Sequence, residues 1–175
     1  MSHPLEPFRY CPCCGSSRFT VRSEKSKQCA DCGFEYFMNT SASTGAFIVN
    51  SAGELLVVRR KSEPASGTLD LPGGFIDIGE TAEEGVAREV MEETGLEVTA
   101  VQYLFSLPNV YPYSGFDVHT MDLFFRCEVA DEKNGLRFAD DAEDGFWIAI
   151  KELNANDFGL HSIRRAVTRF QETHP

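Results

Sequence analysis

The sequence has no long apolar run, no internal repeat and no low-complexity tract. Apolar residues make up 42% of its 175 positions, yet none of their runs approaches the length of a membrane span. The first residues also lack the charged start and apolar stretch of a secretory signal. These absences argue against a membrane protein and lead us to expect a cytoplasmic protein with one core and a small additional part.

Positive charge is scarce and unevenly distributed. Lysine and arginine total 16 against 27 aspartates and glutamates, so the formal net charge is -11. Residues 1–40 hold five basic and four acidic groups, a balance of +1, which leaves -12 for the rest of the chain. A nucleic-acid-binding surface needs a basic footprint, so this balance argues against nucleic acid as a partner. An acidic body suits a site that collects divalent cations, although solubility alone is a second explanation.

Five of the six cysteines lie between positions 11 and 32. Cys11 and Cys14 form one Cys-x-x-Cys pair, and Cys29 and Cys32 form another. Two such pairs at this spacing indicate a tetrahedral Zn²⁺ site of four thiolates, whereas disulfides need an oxidising compartment and a redox centre needs only one pair. The segment 8–37 resembles a zinc ribbon, and a piece this small depends on its metal to fold, so we expect a structural zinc.

The composition changes along the chain and predicts two domains, residues 1–39 and residues 40–175. The first is cysteine-rich and poor in aliphatic residues, whereas the second shows regular strand and helix patterns. Strands before and after a central helix, with a second helix at the end, predict an α/β fold with a mixed sheet between helices. A loop with two prolines is expected after residue 107. The predicted strands are 44–49, 55–60, 69–71, 98–107, 119–129 and 145–150, and the predicted helices are 81–94 and 160–172.

The central helix carries an unusual acidic face. Thr81, followed three residues later by a glutamate, has the form of a capping box, and Gly95 is a typical helix stop. Glu89, Glu92 and Glu93 stand at positions i, i+3 and i+4, so their carboxylates share one face. Like charges at this spacing cost about 0.2–0.5 kcal/mol per pair. A bound Mg²⁺ or Mn²⁺ would offset that cost, and a solvated acidic face is the alternative.

The residues from Gly74 to Leu96 match the signature of the Nudix hydrolases. Gly74 is followed after five residues by Glu80, and after seven more by Arg-Glu-Val-Met-Glu-Glu-Thr-Gly-Leu, which begins at Arg88. The flanking sequence is also similar to the family, over about residues 40–155. The resemblance implies a Nudix α/β/α sandwich that hydrolyses, with divalent metal, the diphosphate linkage of a nucleoside diphosphate derivative.

The same resemblance assigns roles to individual residues. The residues that it implies for Mg²⁺ or Mn²⁺ binding are the carbonyl of Gly74 and the carboxylates of Glu89, Glu92 and Glu93. Glu80 and Arg88 would orient those carboxylates. The candidate catalytic carboxylates, one of which takes a proton from the attacking water, are Glu89, Glu93 and Glu143. Glu143 belongs to an acidic loop over residues 140–144, for which a solvated turn is the alternative.

Two segments bear on the substrate. Arg59 and Arg60 end a strand that faces the site, and because side chains alternate along a strand, one contacts phosphate and the other points away. We assign the phosphate contact to Arg59. We also expect Tyr111 to stack on a base, with packing around its loop as the alternative.

The segment from Ser106 to Ser114 is similar to the motif Ser-Gln-Pro-Trp-Pro-Phe-Pro-x-Ser of the Nudix subgroup that hydrolyses NADH. That subgroup also carries a four-cysteine ribbon before its catalytic domain. Ser106, Pro108, Pro112 and Ser114 agree with the motif. Asn109 and Val110 stand where the subgroup has Trp-Pro, and we expect this protein to lack the subgroup's further N-terminal domain. The resemblance therefore implies a substrate of the NADH, NAD or ADP-ribose type.

Two other functions stay open. A binding module that senses a nucleotide could use the same fold, although it would have no need of the complete set of glutamates. A hydrolase that processes RNA 5′ ends would need a basic approach to its site, which the net charge disfavours. Members of the family are often homodimers, so self-association is a further expectation.

Overall fold

The computed structural model describes residues 3–132, 136–137 and 142–173, and at positions 142 and 143 it describes the backbone alone. Contacts divide the chain into two compact units, Met1–Thr40 and Ser41–Pro175. In the described part of the chain, no helix combines the length and apolar character that crossing a membrane requires.

The first unit is built on a three-stranded antiparallel sheet. Its strands are β1 (Phe19–Ser23), β2 (Ser26–Cys29) and β3 (Glu35–Phe37), in that spatial order. Its apolar core is small, with Cys11, Phe19 and Cys29 buried and Phe34 packed against them. So little buried surface cannot offset the entropy cost of ordering the segment without a further source of stability.

In its described residues, the second unit contains two three-stranded sheets and two α-helices. One sheet has the order β4-β8-β7, in which β4 and β8 are parallel and β8 and β7 are antiparallel, so it is mixed. The other sheet has the order β6-β5-β9 and is antiparallel. The elements are β4 (Ser41–Ile48), β5 (Glu54–Arg60), β6 (Leu69–Asp70), α1 (Ala82–Thr94), β7 (Val98–Tyr113), β8 (Phe116–Val129), β9 (Ala142–Ala149) and α2 (His161–Thr173).

Alternation along the strands divides the core of this unit in two. Phe47 of β4 and Phe124 of β8 pack with Phe170 of α2, and the rings of Phe47 and Phe170 stack at 4.1 Å between centroids. Phe125, the next residue along β8, packs instead with Val90 of α1. Each fully buried side chain of this size stabilises the fold by about 1.5–3 kcal/mol. The strands thus lie between two helices, which confirms the predicted α/β/α sandwich.

The prediction of a proline-containing loop after Leu107 is wrong. Strands β7 and β8 stay paired past both prolines, and they join only at the turn Ser114-Gly115, where both residues have positive φ. Strand β7 lies at the edge of its sheet, and an edge strand tolerates proline because no strand on its outer side needs the missing backbone N–H. The segment with the expected substrate residues is therefore one strand of a long hairpin.

Candidate active site

Helix α1 is fixed at both ends by local hydrogen bonds. The Thr81 hydroxyl accepts from the backbone N–H of Glu84, and the Glu84 carboxylate accepts from the backbone N–H of Thr81. Gly95 ends the helix with φ at 72°, a left-handed conformation that glycine adopts without strain. These two ends set the rotation at which the acidic residues of α1 face the preceding loop.

Two glycines bring that loop against the helix and strand β4. Gly73 has φ at 151°, and a Cβ there would lie 2.2 Å from the carbonyl oxygen of Thr44. A Cβ on Gly74 would lie 2.7 Å from the carboxyl carbon of Glu89. The N–H of Gly73 donates to Glu93 Oε2 at 3.0 Å, and the carbonyl of Gly74 accepts from the N–H of Thr44 at 2.8 Å. The hydroxyl of Thr44 donates to the same carbonyl in a longer hydrogen bond of 3.5 Å, so a cation at this oxygen would take the place of the weaker contact.

Arg88 gathers the carboxylates of the signature. It donates to both oxygens of Glu80, from Nε at 2.9 Å and from Nη2 at 3.0 Å. Its Nη1 donates to Glu89 and to Glu92, each at 2.9 Å, and Nη2 donates to the carbonyl of Phe75 at 3.0 Å. These hydrogen bonds lower the pKa of Glu80 and raise that of Arg88. One guanidinium therefore holds three carboxylates in a fixed arrangement.

The three helix glutamates differ in burial. Glu93 is 7% exposed, Glu89 is partly buried and Glu92 is exposed. Arg88 bonds Glu89 and Glu92, whereas Glu93 accepts from Gly73, and the three carboxylates do not form a cluster with all ligand atoms within 4.8 Å of one another. Among the described residues only four cysteines form a cluster that tight. Hard carboxylate and carbonyl oxygens are the donors that Mg²⁺ and Mn²⁺ prefer, so the chemistry of this set fits such a cation.

The four predicted cysteine ligands come together in the first unit. The sulfur atoms of Cys11 and Cys32 are 3.7 Å apart and those of Cys14 and Cys29 are 3.6 Å apart. Tetrahedral Zn–S bonds of about 2.3 Å place sulfurs about 3.8 Å apart, so the cluster fits a zinc ion. The backbone N–H of Cys32 contributes most to lowering the pKa of Cys29 to about 7, whereas the pKa values of Cys14 and Cys32 are raised, so the neighbouring thiols do not share their protons equally.

The two adjacent arginines point to different surroundings. Arg60 lines the cavity beside α1, where it pairs with Asp70 and donates to the hydroxyl of Tyr111 at 3.3 Å. Arg59, which we assigned to phosphate, instead donates to the carbonyl of Gly67 at 2.9 Å and pairs with Asp144 at 3.2 Å. The alternation was expected, but the structure brings Arg60 to the cavity and leaves Arg59 outside its lining.

The cavity has a volume of about 320 Å³, at the lower end of the range for small-molecule sites. Tyr111 lies in its wall and meets Phe75 edge-on at 5.9 Å between ring centroids. Glu80 is not part of the lining. Glu143 belongs to strand β9 rather than to a loop, and its side chain lies outside the described residues. The predicted site residues in the lining are Gly74, Arg88, Glu89, Glu92, Glu93 and Tyr111.

Two buried aspartates also line this cavity, and the motif analysis missed them. Asp70 is 7% exposed and Asp122 is 6% exposed. The hydroxyls of Ser43, Thr120 and Ser162 all donate to the Asp122 carboxylate. The available signal was an acidic residue between two apolar neighbours in a strand, because such a residue is buried only with partners or a function.

Comparisons with known proteins identify a family and several relatives that this chain resembles. The family described as NUDIX domain matches residues 39–170. An ADP-ribose pyrophosphatase from Methanocaldococcus jannaschii is 33% identical over 126 residues, which cover 71% of each chain. An NAD-capped RNA hydrolase NudC from Stutzerimonas stutzeri is 29% identical over 147 residues, which cover 84% of this chain and 50% of the relative. This chain thus spans about half the length of the NudC relatives that it matches.

Solved structures show the same fold. A NUDIX hydrolase from Nitrosomonas europaea superimposes with a TM-score of 0.72 at 21% identity, over 94% of this chain and 90% of that one. A MutT NUDIX hydrolase from Burkholderia pseudomallei gives a TM-score of 0.63 at 26% identity, over 74% of this chain and 97% of that one. At 21% identity, the likeness to the Nitrosomonas europaea structure bears on the fold alone.

Proposed function

The chain belongs to the NUDIX family, and from that premise we propose that it hydrolyses the diphosphate linkage of nucleoside diphosphate derivatives of the NAD(H) or ADP-ribose type. Relatives named as an ADP-ribose pyrophosphatase and as NAD-capped RNA hydrolases support this substrate class. The observation that carries the proposal is the pairing of Arg88 with the signature carboxylates at the edge of a cavity of suitable size.

The site divides its work among the signature residues. Glu89, Glu92, Glu93 and the Gly74 carbonyl would hold Mg²⁺ or Mn²⁺. When bound, the cation neutralises phosphate oxygens and lowers the pKa of the attacking water. The Gly73 N–H fixes Glu93, and Arg88 fixes Glu89 through its Oε1.

We assign the proton of the attacking water to a carboxylate of the site. Glu89 is our first candidate, because it lines the cavity and Arg88 holds its carboxylate in place. Glu93 and Glu143 are the other candidates. For the substrate contact we replace Arg59 with Arg60, since Arg60 lines the cavity and Arg59 does not.

The first domain has a different role in this proposal. Residues 1–39 form a zinc ribbon in which Cys11, Cys14, Cys29 and Cys32 hold a structural Zn²⁺, and residues 40–175 form the hydrolase domain. The distances between the four sulfur atoms support the metal site. The boundary between the contact-defined units, at Thr40 and Ser41, supports the domain limits.

The test compares the full chain with Glu93→Gln on NADH, NAD⁺, ADP-ribose, diadenosine polyphosphates, nucleotide sugars, nucleoside triphosphates and NAD-capped RNA. Each compound is assayed with Mg²⁺ and with Mn²⁺, and the products are separated by chromatography. We expect Glu93→Gln to lower kcat by about 10²–10⁴-fold on the best substrate. Glu83→Gln, on an exposed residue of the same helix, is the matched control and should keep wild-type turnover.

Other outcomes favour the alternatives. A folded, metal-loaded chain that turns over none of these compounds would favour the nucleotide-binding module. Turnover of capped RNA that falls steeply with salt, together with inert free dinucleotides, would favour processing of RNA ends.

A further inference from the structure

The proposed chemistry leaves part of the cavity lining without a role. Asp70 of β6 and Asp122 of β8 line the same cavity as the α1 glutamates, together with Thr120 and Asn109. We call these four residues the aspartate wall. Three of them are less than a tenth exposed, so the wall is part of the folded core as well as of the cavity.

Hydroxyl groups occupy most of the hydrogen-bond acceptor positions of the Asp122 carboxylate. Its Oδ1 accepts from Ser43 and Thr120, and its Oδ2 accepts from Ser162. An ionised carboxylate has about four acceptor positions, so about one position stays available for a ligand. All three donors are neutral, and they orient the carboxylate without cancelling its charge.

Asp70 has a different set of partners. It accepts from Nη1 of Arg60 at 2.5 Å and from the N–H of Leu71 at 2.8 Å. Burial raises the pKa of Asp70, Arg60 opposes that rise, and the neighbouring charge of Asp122 adds to it. The one guanidinium bonds Asp70, whereas the three hydroxyl partners of Asp122 are neutral.

This arrangement separates two kinds of ligand group. A phosphate placed against Asp122 would bring its acceptor oxygens against a buried acceptor whose three hydrogen-bond donors are neutral hydroxyls. Divalent cations at the α1 glutamates would attract the same phosphate. An uncharged hydroxyl could donate to the aspartates in a charge-assisted hydrogen bond, which is about twice as strong as a neutral one.

We propose that the aspartate wall binds the hydroxyls of one ribose of the substrate, and that Asp122 is the residue that selects for them. This inference rests on the proposed function, since it places the diphosphate at the glutamates and an attached sugar at the wall. A site with a buried acceptor discriminates against an analogue that lacks the matching donor, because the acceptor is then left unpaired.

The test compares the binding of three ligands to the full-length wild type and to a full-length variant. The ligands are α,β-methylene ADP-ribose, which resists hydrolysis, and two analogues that lack the 2- and 3-hydroxyls of either the adenosine ribose or the terminal ribose. Calorimetry gives Kd for each on wild type and on Asp122→Asn. We expect one analogue to bind wild type about 10–100-fold more weakly than the parent. On Asp122→Asn this ratio should fall below about 3-fold, because contacting groups are not additive.

Asp117→Asn is the matched control, because it makes the same chemical change at an exposed aspartate of β8 that is not part of the cavity lining. It should retain the wild-type ratio. If Asp122→Asn does not fold, as judged by thermal melting, Asp70→Asn takes its place under the same criterion.

Three results would overturn the inference: equal binding of all three ligands by wild type, unchanged ratios in the aspartate variant, or no binding of the parent. Intact discrimination in a chain that hydrolyses nothing would instead overturn the proposed function and leave the ribose site standing.

Discussion

At the scale of single residues, Arg88 resolves a conflict that the sequence creates. Glu89 and Glu92 repel each other across one turn, and Glu80 approaches from the preceding loop. The guanidinium donates to all three because its five N–H groups lie in one plane and point in different directions. Lysine carries the same charge but presents it at a single point, so it cannot hold three carboxylates in a fixed arrangement.

Arg88→Lys should therefore reduce kcat by about 10–100-fold, as changes to the groups that support a metal site generally do. KM should change much less, because Arg88 orients the carboxylates and is not assigned to the substrate. Steady-state kinetics at saturating Mn²⁺ measures both constants. Arg165→Lys, at an exposed position of α2, is the control. Wild-type kcat in Arg88→Lys would show that the charge alone is sufficient.

Glu80 supplies a prediction about pH. Hydrogen bonds from Arg88 lower its pKa below the ordinary value of 4.5. A carboxylate with a lowered folded-state pKa contributes stability above its unfolded-state pKa and loses it as the pH falls through the folded-state value. Between about pH 3 and 7, the Tm of wild type should exceed that of Glu80→Gln near neutrality, and this difference should shrink below pH 4.5. A difference that stays constant down to the lowest pH would contradict this origin.

At the scale of elements, α1 is defined by its own ends. The capping box at Thr81 and the left-handed Gly95 are local features, and they place the first and last turns without help from distant residues. The glycines before the helix have a different function, since Gly73 is required by its contact with Thr44 of β4. Different contacts therefore hold the loop and the helix at the site.

Thr81→Ala should cost about 0.5–2 kcal/mol of unfolding free energy, because the N–H of Glu84 loses its acceptor. Chemical denaturation measured by far-UV circular dichroism gives this difference. Thr81→Ser keeps the hydroxyl and should remain close to wild type. If serine and alanine destabilise equally, the capping hydroxyl is not the source of the effect.

At the scale of the whole molecule, the chain carries two candidate metal sites of opposite character. Four thiolates in the first unit suit the softer Zn²⁺, and the carboxylates of the second unit suit Mg²⁺ or Mn²⁺. Each site lies within one contact-defined unit. Their metals should therefore be separable by chemistry, because chelators that favour soft ions act on the first site.

Purified protein should contain about one Zn²⁺ per chain, the number that four thiolates hold. Cys11→Ser should lose this zinc together with amide protection in β1 to β3, whereas Cys13→Ser, on an exposed cysteine of the same segment, should keep both. Metal analysis and hydrogen exchange measure the two quantities. Zinc retained in Cys11→Ser would exclude the four-thiolate site.

Self-association of the chain stays a prediction.

The sequence by itself determined the features that depend on short spacings: the limits of α1, its acidic face and the two cysteine pairs. Only the tertiary structure decided that β7 continues through its prolines, that Arg60 reaches the cavity, and that Asp70 and Asp122 join the glutamates there. Asp122 meets Ser43 because β4 and β8 pair in parallel across 79 positions of sequence. Such contacts are set by strand register and by the packing of both sheets, and no local pattern of residues encodes either.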